Sequence, residues 1–154
     1  MDQDQFIYLA IQNLMFAERI ILDMERQLAR DLGTRTADLH ESVLLMECSS
    51  HSIFWVCGLY ELTRSLREAK SPQFSELAAL HRKLSVVRMP LAKHEVMSAP
   101  GFRDKFHYPT SIWSPNTGRV GWYVFSPDSE QNESYFRTEL ADEFLAVTAT
   151  EANQ

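Results

Sequence analysis

The chain has 154 residues, of which 45% are hydrophobic, 11% aromatic and 23% charged. This length suits one domain with a full hydrophobic core, and the composition excludes a disordered, collagen-like or low-complexity chain. The formal net charge of −6 argues against general affinity for nucleic acid. Only Gly33 and Gly58 interrupt residues 1–71, whereas seven of the eleven Gly and Pro residues fall between Pro100 and Pro127, so we expect a helical scaffold followed by an irregular segment.

The first two predicted helices are long and strongly apolar. Apolar residues recur at steps of three and four over Asp4–Leu32, with an apolar arc wide enough for contact from two sides. A second helix, capped at Thr36 or Asp38, runs to about Lys70. It is apolar nearly all round over Val43–Leu62, which is typical of the central helix of a bundle. Its predicted core seam is Leu39, Val43, Met46, Ser50, Phe54 and Cys57.

A third helix should begin at the Ser71–Pro72 pair, an N-cap followed by a first-turn proline. It packs through a leucine-rich stripe, and Pro90 should kink it or end it a few residues earlier because the ring removes a hydrogen bond. We place the helical bundle at residues 4–97.

The segment 100–137 has the pattern of a small antiparallel sheet. Ile112–Trp113 and Val120–Phe125 flank a Gly-containing turn, with Val120, Trp122 and Val124 on one face, and Tyr135–Arg137 is a candidate third strand. A C-terminal helix over 138–150 then begins at a Thr138 cap and buries three apolar residues: Leu140, Phe144 and Leu145.

These elements predict a mainly α, α+β fold in a single domain spanning 1–154. Three long antiparallel helices form the bundle, the second of them central, and a short β-hairpin or meander and a C-terminal helix cover it. A helix that is apolar on two faces in so small a bundle also indicates homodimerisation.

Charged residues fall within the core stripes of all three long helices: Glu18 and Glu25, Glu61 and Arg64, His81 and Arg88. Buried charges persist only when they are paired and hydrogen-bonded. In one interpretation Glu18 or Glu61 pairs with Arg64 or Arg88 in a structural network. In another, Arg64 and Arg88 hold an anion in a cleft where His81 or a glutamate moves protons. In a third, the helix phases are wrong and some of these side chains face water.

Metal, cofactor and nucleotide chemistry find little support in the sequence. Glu47 and His51 are four residues apart, but the chain contains no Glu-x-x-His and no Cys/His zinc spacing. The absence of a Gly-rich phosphate loop argues against a nucleotide site. We therefore expect no metal and no cofactor.

Charge and aromatic residues are unevenly distributed along the chain. Residues 1–71, 72–127 and 128–154 carry −4, +4 and −6, and the basic middle either balances charge within one globule or forms an anion-binding face. The residues of that face would be Arg82, Lys83, Arg88, Lys93, Arg103, Lys105 and Arg119. Six aromatic residues on the strands either pack on the bundle or leave a patch, with Tyr123 and Phe125, for a protein partner.

The chain has no secretory-signal pattern, and we expect a cytoplasmic protein with Cys48 and Cys57 reduced. Polar residues including Glu47 and Glu61 interrupt the apolar stretch Val43–Leu62, which indicates a buried soluble helix and no membrane association.

One short motif, Arg88-Met89-Pro90-Leu91-Ala92-Lys93-His94, resembles the Arg-x4–6-His motif of HEPN-type helical bundles. Many members of that family cleave RNA as toxins or process nucleic acid, with the Arg and His of two subunits meeting at a dimer interface. The resemblance implies that Arg88 stabilises a transition-state phosphate and His94 handles the proton. This chain departs from the family in having Met89 directly after the arginine and Pro90 within the helix.

Two classes of function follow, and the sequence does not decide whether the protein is an enzyme. The first is a binding or assembly protein with a structural network of buried charges. The second is a HEPN-like RNA-cleaving enzyme or toxin-type module using Arg88 and His94, with RNA as its partner. The second requires both side chains to be accessible in a shared basic cleft, whereas Arg88 buried against Glu18, Glu25 or Glu61 favours the first.

Overall fold

The computed structural model describes residues 3–31, 39–93, 109–126 and 131–151. Within these ranges the chain forms helices α1 (Gln3–Asp31), α2 (Leu39–Glu68), α3 (Gln73–Lys93) and α4 (Arg137–Glu151), and strands β1 (Thr110–Trp113), β2 (Val120–Ser126) and β3 (Gln131–Phe136). The predicted mainly helical fold with a small antiparallel sheet is confirmed. Residues 32–38 and 94–97 of the predicted bundle, with the predicted caps Thr36 and Asp38, and residues 100–108 and 127–130 of the predicted sheet segment lie outside the described residues.

Helix α2 packs against both α1 and α3. The indole N–H of Trp55 donates to the backbone carbonyl of Leu14 at 3.2 Å, and Phe6 lies near Ser65, so α1 and α2 run antiparallel. Helices α2 and α3 are also antiparallel, because His81 lies beside Arg67 whereas Arg88, about two turns later on α3, bonds to Glu61, which precedes Arg67 on α2. The prediction of a central second helix is confirmed.

The connection from α2 to α3 is a short helix cap. The N–H of Ser71 donates to the carbonyl of Leu66 at 3.0 Å and that of Lys70 to the carbonyl of Arg67 at 3.0 Å. This pair of bonds is the Schellman arrangement, whose left-handed position is usually glycine. Lys70 occupies it here with φ 54°.

Helix α3 begins at Gln73, directly after the predicted Ser71–Pro72 pair, and continues through Pro90 to Lys93. Of the two effects predicted for Pro90, a kink or an early end, the early end is therefore wrong. A proline removes one hydrogen bond, whereas the fully buried Leu84 and Val87 hold the preceding turns of α3 in the core.

The sheet has the order β1-β2-β3 and is antiparallel throughout. Its predicted hairpin is confirmed, with Trp113 paired to Val120 and the predicted face of β2 buried. Gly118 in the turn has φ 67°, and a Cβ atom there would overlap the backbone of α1 at Glu25. The hairpin therefore packs directly on α1. Strand β3 begins earlier than predicted and ends at Phe136.

Two details predicted for the last helix are wrong. Helix α4 begins at Arg137, and the backbone N–H of Phe136 donates to the carboxylate of Glu139 at 3.4 Å, so Thr138 is not the cap. Leu145 is 43% exposed, because α4 packs through Leu140 and Phe144, and Leu145 lies about 100° around the helix from Phe144.

The largest correction concerns the predicted core seam of α2. Val43, Met46 and Phe54 were expected inside, yet Met46 is 70% and Phe54 is 73% exposed. The buried face of α2 lies on the other side: Leu44, Cys48, Trp55, Leu59, Leu62 and Leu66. Because α2 is apolar nearly all round, its periodicity does not show which side meets α1 and α3.

Candidate functional site

A fully buried arginine at the start of α4 joins four elements of the fold. Arg137 donates to the carboxylates of Glu18 and Glu25, the latter at 2.7 Å, and its guanidinium lies 5.7 Å from the ring centroid of Trp55. The second carboxylate oxygen of Glu25 accepts the backbone N–H of Val120 at 3.1 Å. We call Glu18, Glu25 and Arg137 the inner charge cluster; it links α1 to β2 and α4, and its arginine packs against α2.

The inner charge cluster has two carboxylates for one guanidinium. Burial raises the pKa of Glu18, Arg137 acts in the opposite direction, and the charges of Glu25 and Asp142 raise it further. The cluster therefore holds excess negative charge when both glutamates are ionised. The sequence placed Glu18 and Glu25 in the core but missed Arg137, which was assigned to a strand. One sequence feature could have drawn attention to Arg137: it is the single basic residue of the acidic segment 128–154.

A second cluster lies between α2 and α3. The Glu61 carboxylate accepts hydrogen bonds from Arg64 and Arg88, each at 2.7 Å. Arg64 also contacts Glu68 at 2.7 Å, and the Arg88 guanidinium lies 4.7 Å from the ring centroid of Tyr60. We call Glu61, Arg64 and Arg88 the outer charge cluster. The predicted pairs of Glu61 with Arg64 and Arg88 are present, whereas Glu18 belongs to the other cluster.

His81 is separate from both clusters and is 5% exposed. Its Nδ1 lies 2.8 Å from Thr63 Oγ1, and its Nε2 lies 3.2 Å from an Arg67 nitrogen. Arginine only donates hydrogen bonds, so Nε2 accepts and the proton lies on Nδ1, which donates to Thr63. Burial and the Arg67 charge lower the pKa of His81, the Glu61 charge acts in the opposite direction, and the balance favours the neutral ring. Both of its ring nitrogens are engaged within the fold.

The residues named for the Arg-x5-His resemblance are only partly described. Arg88 is 16% exposed at its side chain and bonded to Glu61, the arrangement expected for a structural network. His94 lies outside the described residues, so the pairing of Arg88 with His94 stays a prediction.

Of the seven residues of the predicted anion-binding face, four have described side chains, and two of these pair with carboxylates. Lys83 pairs with Glu143 on α4, and Arg88 pairs with Glu61. Arg82 and Arg119 are exposed. Lys93, Arg103 and Lys105 lie where side chains are not described.

A metal-binding group and a reactive thiol are two further kinds of site to look for in the described part of the chain. No group of three His, Cys, Asp or Glu residues that could hold a metal ion occurs there. Cys48 is a buried free thiol whose pKa burial raises to about 11, and burial also raises the pKa of Cys57. Both thiols are therefore protonated at neutral pH and weakly nucleophilic.

The most extensive feature on the surface is apolar. Nine large side chains on α1 and α2 are between 41% and 73% exposed, and Tyr8 and Met15 lie about 140–160° around α1 from Asn13. We call the other seven the α1–α2 apolar face: Phe6, Leu9, Phe16, Ile20, Val43, Met46 and Phe54. A groove of about 350 Å³ runs between the two helices, and Phe6, Asn13 and Phe54 are among its lining residues. The sequence anticipated a second contact side for α1 but placed the residues of α2 in the core.

The sheet has one packed and one open side. Val120, Trp122 and Val124 are buried where β2 meets α2 and α3. Tyr123 on the opposite side is 46% exposed and Phe125 is half-buried, so this side offers far less apolar surface than α1 and α2.

Comparison of the chain with models of known protein families, with curated proteins and with solved structures finds no match. By length and composition, Val43–Glu68 of α2 qualifies as a possible membrane span, a test that core helices of soluble proteins also pass. Its buried side chains pack within the bundle. The cytoplasmic location stays a prediction.

Proposed function

We propose that this protein is a cytoplasmic, non-enzymatic assembly protein that binds a protein partner through the α1–α2 apolar face. The observation that carries the proposal is the exposure of seven large apolar side chains along two adjacent helices. Soluble monomers rarely expose contiguous apolar patches larger than a few hundred Å².

The size of the face fits a protein interface. A large side chain has roughly 200 Å² of accessible surface, so the measured exposures correspond to about 800 Å². A stable interface buries about 800 Å² on each partner. A partner that presents an apolar helical surface would therefore remove most of this area from water, worth up to roughly 20 kcal/mol before the costs of association.

The arrangement of charge supports binding over catalysis. The carboxylates of Glu18, Glu25 and Glu61 are each held by arginine, and both nitrogens of His81 are hydrogen-bonded. These groups fix helix positions, as an internal charge network does, and none of them lines the α1–α2 groove except Glu61.

Thiol labelling tests whether the face is covered. Phe16→Cys places a thiol on the face, and Arg26→Cys places a control thiol on the exposed polar side of α1. Each variant is treated with a maleimide, once inside cells and once as purified protein over a range of concentrations, with wild type correcting for Cys48 and Cys57.

We expect the thiol of Phe16→Cys to react more slowly than the thiol of the Arg26→Cys control. Protection in concentrated pure protein that disappears on dilution indicates a second copy as the partner. Protection of the same site only in cells indicates a different protein. Equal labelling of both sites under all conditions would show that the face is open and would overturn the proposal.

A further inference from the structure

We infer that the partner is a second copy of this chain, and that the two α1 helices pack antiparallel with Asn13 of each copy at the twofold axis. This inference rests on the proposed function of the α1–α2 apolar face and adds its occupant, its orientation and the residue that sets its register.

The exposed stripe of α1 has the spacing of a helix-pairing seam. Phe6, Leu9, Asn13, Phe16 and Ile20 follow one another at steps of three, four, three and four residues. These steps are those of a and d positions in a coiled coil, where a second helix packs against the first. At 100° per residue all five lie within about 80° of the helix circumference. Four of them are large apolar residues at least 41% exposed, and Asn13 is exposed at the centre.

The stripe is nearly the same when it is read in either direction from Asn13. An antiparallel copy therefore places Phe6 against Ile20 of the partner subunit and Leu9 against Phe16 of the partner subunit. Each phenylalanine then meets an aliphatic side chain. A twofold interface requires this self-complementarity, because the same patch serves both copies.

Asn13 has the chemistry for the twofold position. Its amide carries both a donor and an acceptor, and no hydrogen bond to it occurs among the described residues. At the axis, the Nδ2–H of each copy donates to the Oδ1 of the other, so both amides are satisfied when the seam closes. A polar residue at such a position fixes the register of paired helices, because any shift leaves it buried without a partner.

Two features select the antiparallel orientation over the parallel one. Antiparallel packing brings the positive end of each helix dipole next to the negative end of the other. Parallel packing would instead bring like ends together and stack Phe6 on Phe6 of the partner subunit and Phe16 on Phe16 of the partner subunit. The nearly symmetric order of the stripe places each phenylalanine against an aliphatic side chain in the antiparallel orientation alone.

Cysteine cross-linking of the full chain tests the geometry. Single variants Phe6→Cys, Asn13→Cys and Ile20→Cys are oxidised at a concentration where wild type is dimeric by light scattering, with wild type as the blank for native thiols. A disulfide requires Cα atoms within about 7 Å. In the antiparallel pair the two positions 6 are roughly 21 Å apart along the axis, and so are the two positions 20.

We expect Asn13→Cys to form covalent dimers with itself, and Phe6→Cys and Ile20→Cys to form them only when the two variants are mixed. Self-linking of all three would establish parallel packing and overturn the inference while leaving the proposed function intact. A dimer that links at none of these sites would overturn the inference in the same way. A protein that is monomeric at all concentrations would overturn the second copy as occupant, and the labelling experiment in cells then decides the proposed function separately.

Discussion

Replacing Arg137 with methionine tests whether the inner charge cluster holds the fold together. The side chain of Arg137 is completely buried and contacts two carboxylates, of which Glu25 is 3% exposed. Methionine is similar in length but leaves both carboxylates without a counter-charge. Removing one partner of a buried ion pair costs about 3–5 kcal/mol. We expect a loss near the upper end, because one arginine neutralises two glutamates.

The loss should depend on pH in a defined direction. Arg137 lowers the pKa of Glu18, whereas burial, Glu25 and Asp142 all raise it, so removing the arginine leaves only influences that raise the pKa. A carboxyl with a raised folded-state pKa binds its proton more readily in the folded state than in the unfolded state. Stability of the variant relative to wild type therefore increases as the pH falls toward the raised pKa.

Urea unfolding followed by circular dichroism and tryptophan fluorescence measures the effect at pH 8 and pH 5. Arg26→Met is the matched control, since Arg26 is paired with Asp23 at an exposed site on α1 and should cost at most about 0.5 kcal/mol. Adding Glu25→Gln to Arg137→Met removes one unpaired charge and keeps an acceptor for the N–H of Val120, so it should recover part of the loss. This double variant also keeps the test usable if the single variant does not fold at neutral pH.

Two results would refute the reasoning about the cluster. One is an Arg137→Met variant whose unfolding free energy lies within the range of the Arg26→Met control. The other is a large loss that neither low pH nor Glu25→Gln reduces, since that would assign the cost to packing and not to the unpaired carboxylates.

Three further predictions concern local features. Gly118→Ala should lower the unfolding free energy, measured by chemical denaturation, by at least about 2 kcal/mol, because φ 67° disfavours a side chain and the added Cβ overlaps the backbone of α1. An unchanged unfolding free energy would mean that the hairpin does not dock there. Lys70→Gly should raise the melting temperature by relieving the left-handed strain at φ 54°, worth about 1 kcal/mol, and an unchanged or lower value would contradict it. The folded-state pKa of His81 lies below its ordinary 6.5, so on acidification the unfolded chain takes up a proton that the folded chain does not. The unfolding free energy should therefore fall as the pH drops from about 7.5 to 5.5. His81→Gln should lose this part of the pH dependence, and an identical slope in the variant would disprove the assignment.

Local patterns in the sequence were enough to predict the helices and the hairpin. The ends of α1 lie within one residue of the predicted ones, and the alternation of Val120, Trp122 and Val124 placed the buried face of β2 correctly. Each of these signals lies within one element and repeats at its period, 3.6 residues for a helix and two for a strand.

The partners of buried charges were harder to predict because the contacts are not local. Glu61 and Arg64 are three residues apart on one helix, and their pairing follows from the helical period alone. Arg137 and Glu25 are 112 residues apart. No periodicity connects them, and the position of Arg137 at a strand-to-helix junction hides that its side chain enters the core.

The inner charge cluster and the exposed apolar stripe are two sides of the same helix. On α1, the glutamates of the cluster point into the bundle beside the buried Ile21, while Phe6, Phe16 and Ile20 point outward. Turning α1 about its axis would hydrate the carboxylates and bury the aromatic rings, yet it would also expose Leu14, Ile21 and Leu28 and leave Arg137 inside without a counter-charge. The arginine and the buried apolar residues of α1 together stabilise the orientation in which the apolar stripe faces outward, and loss of Arg137 should weaken any assembly through the stripe even though Arg137 does not touch it.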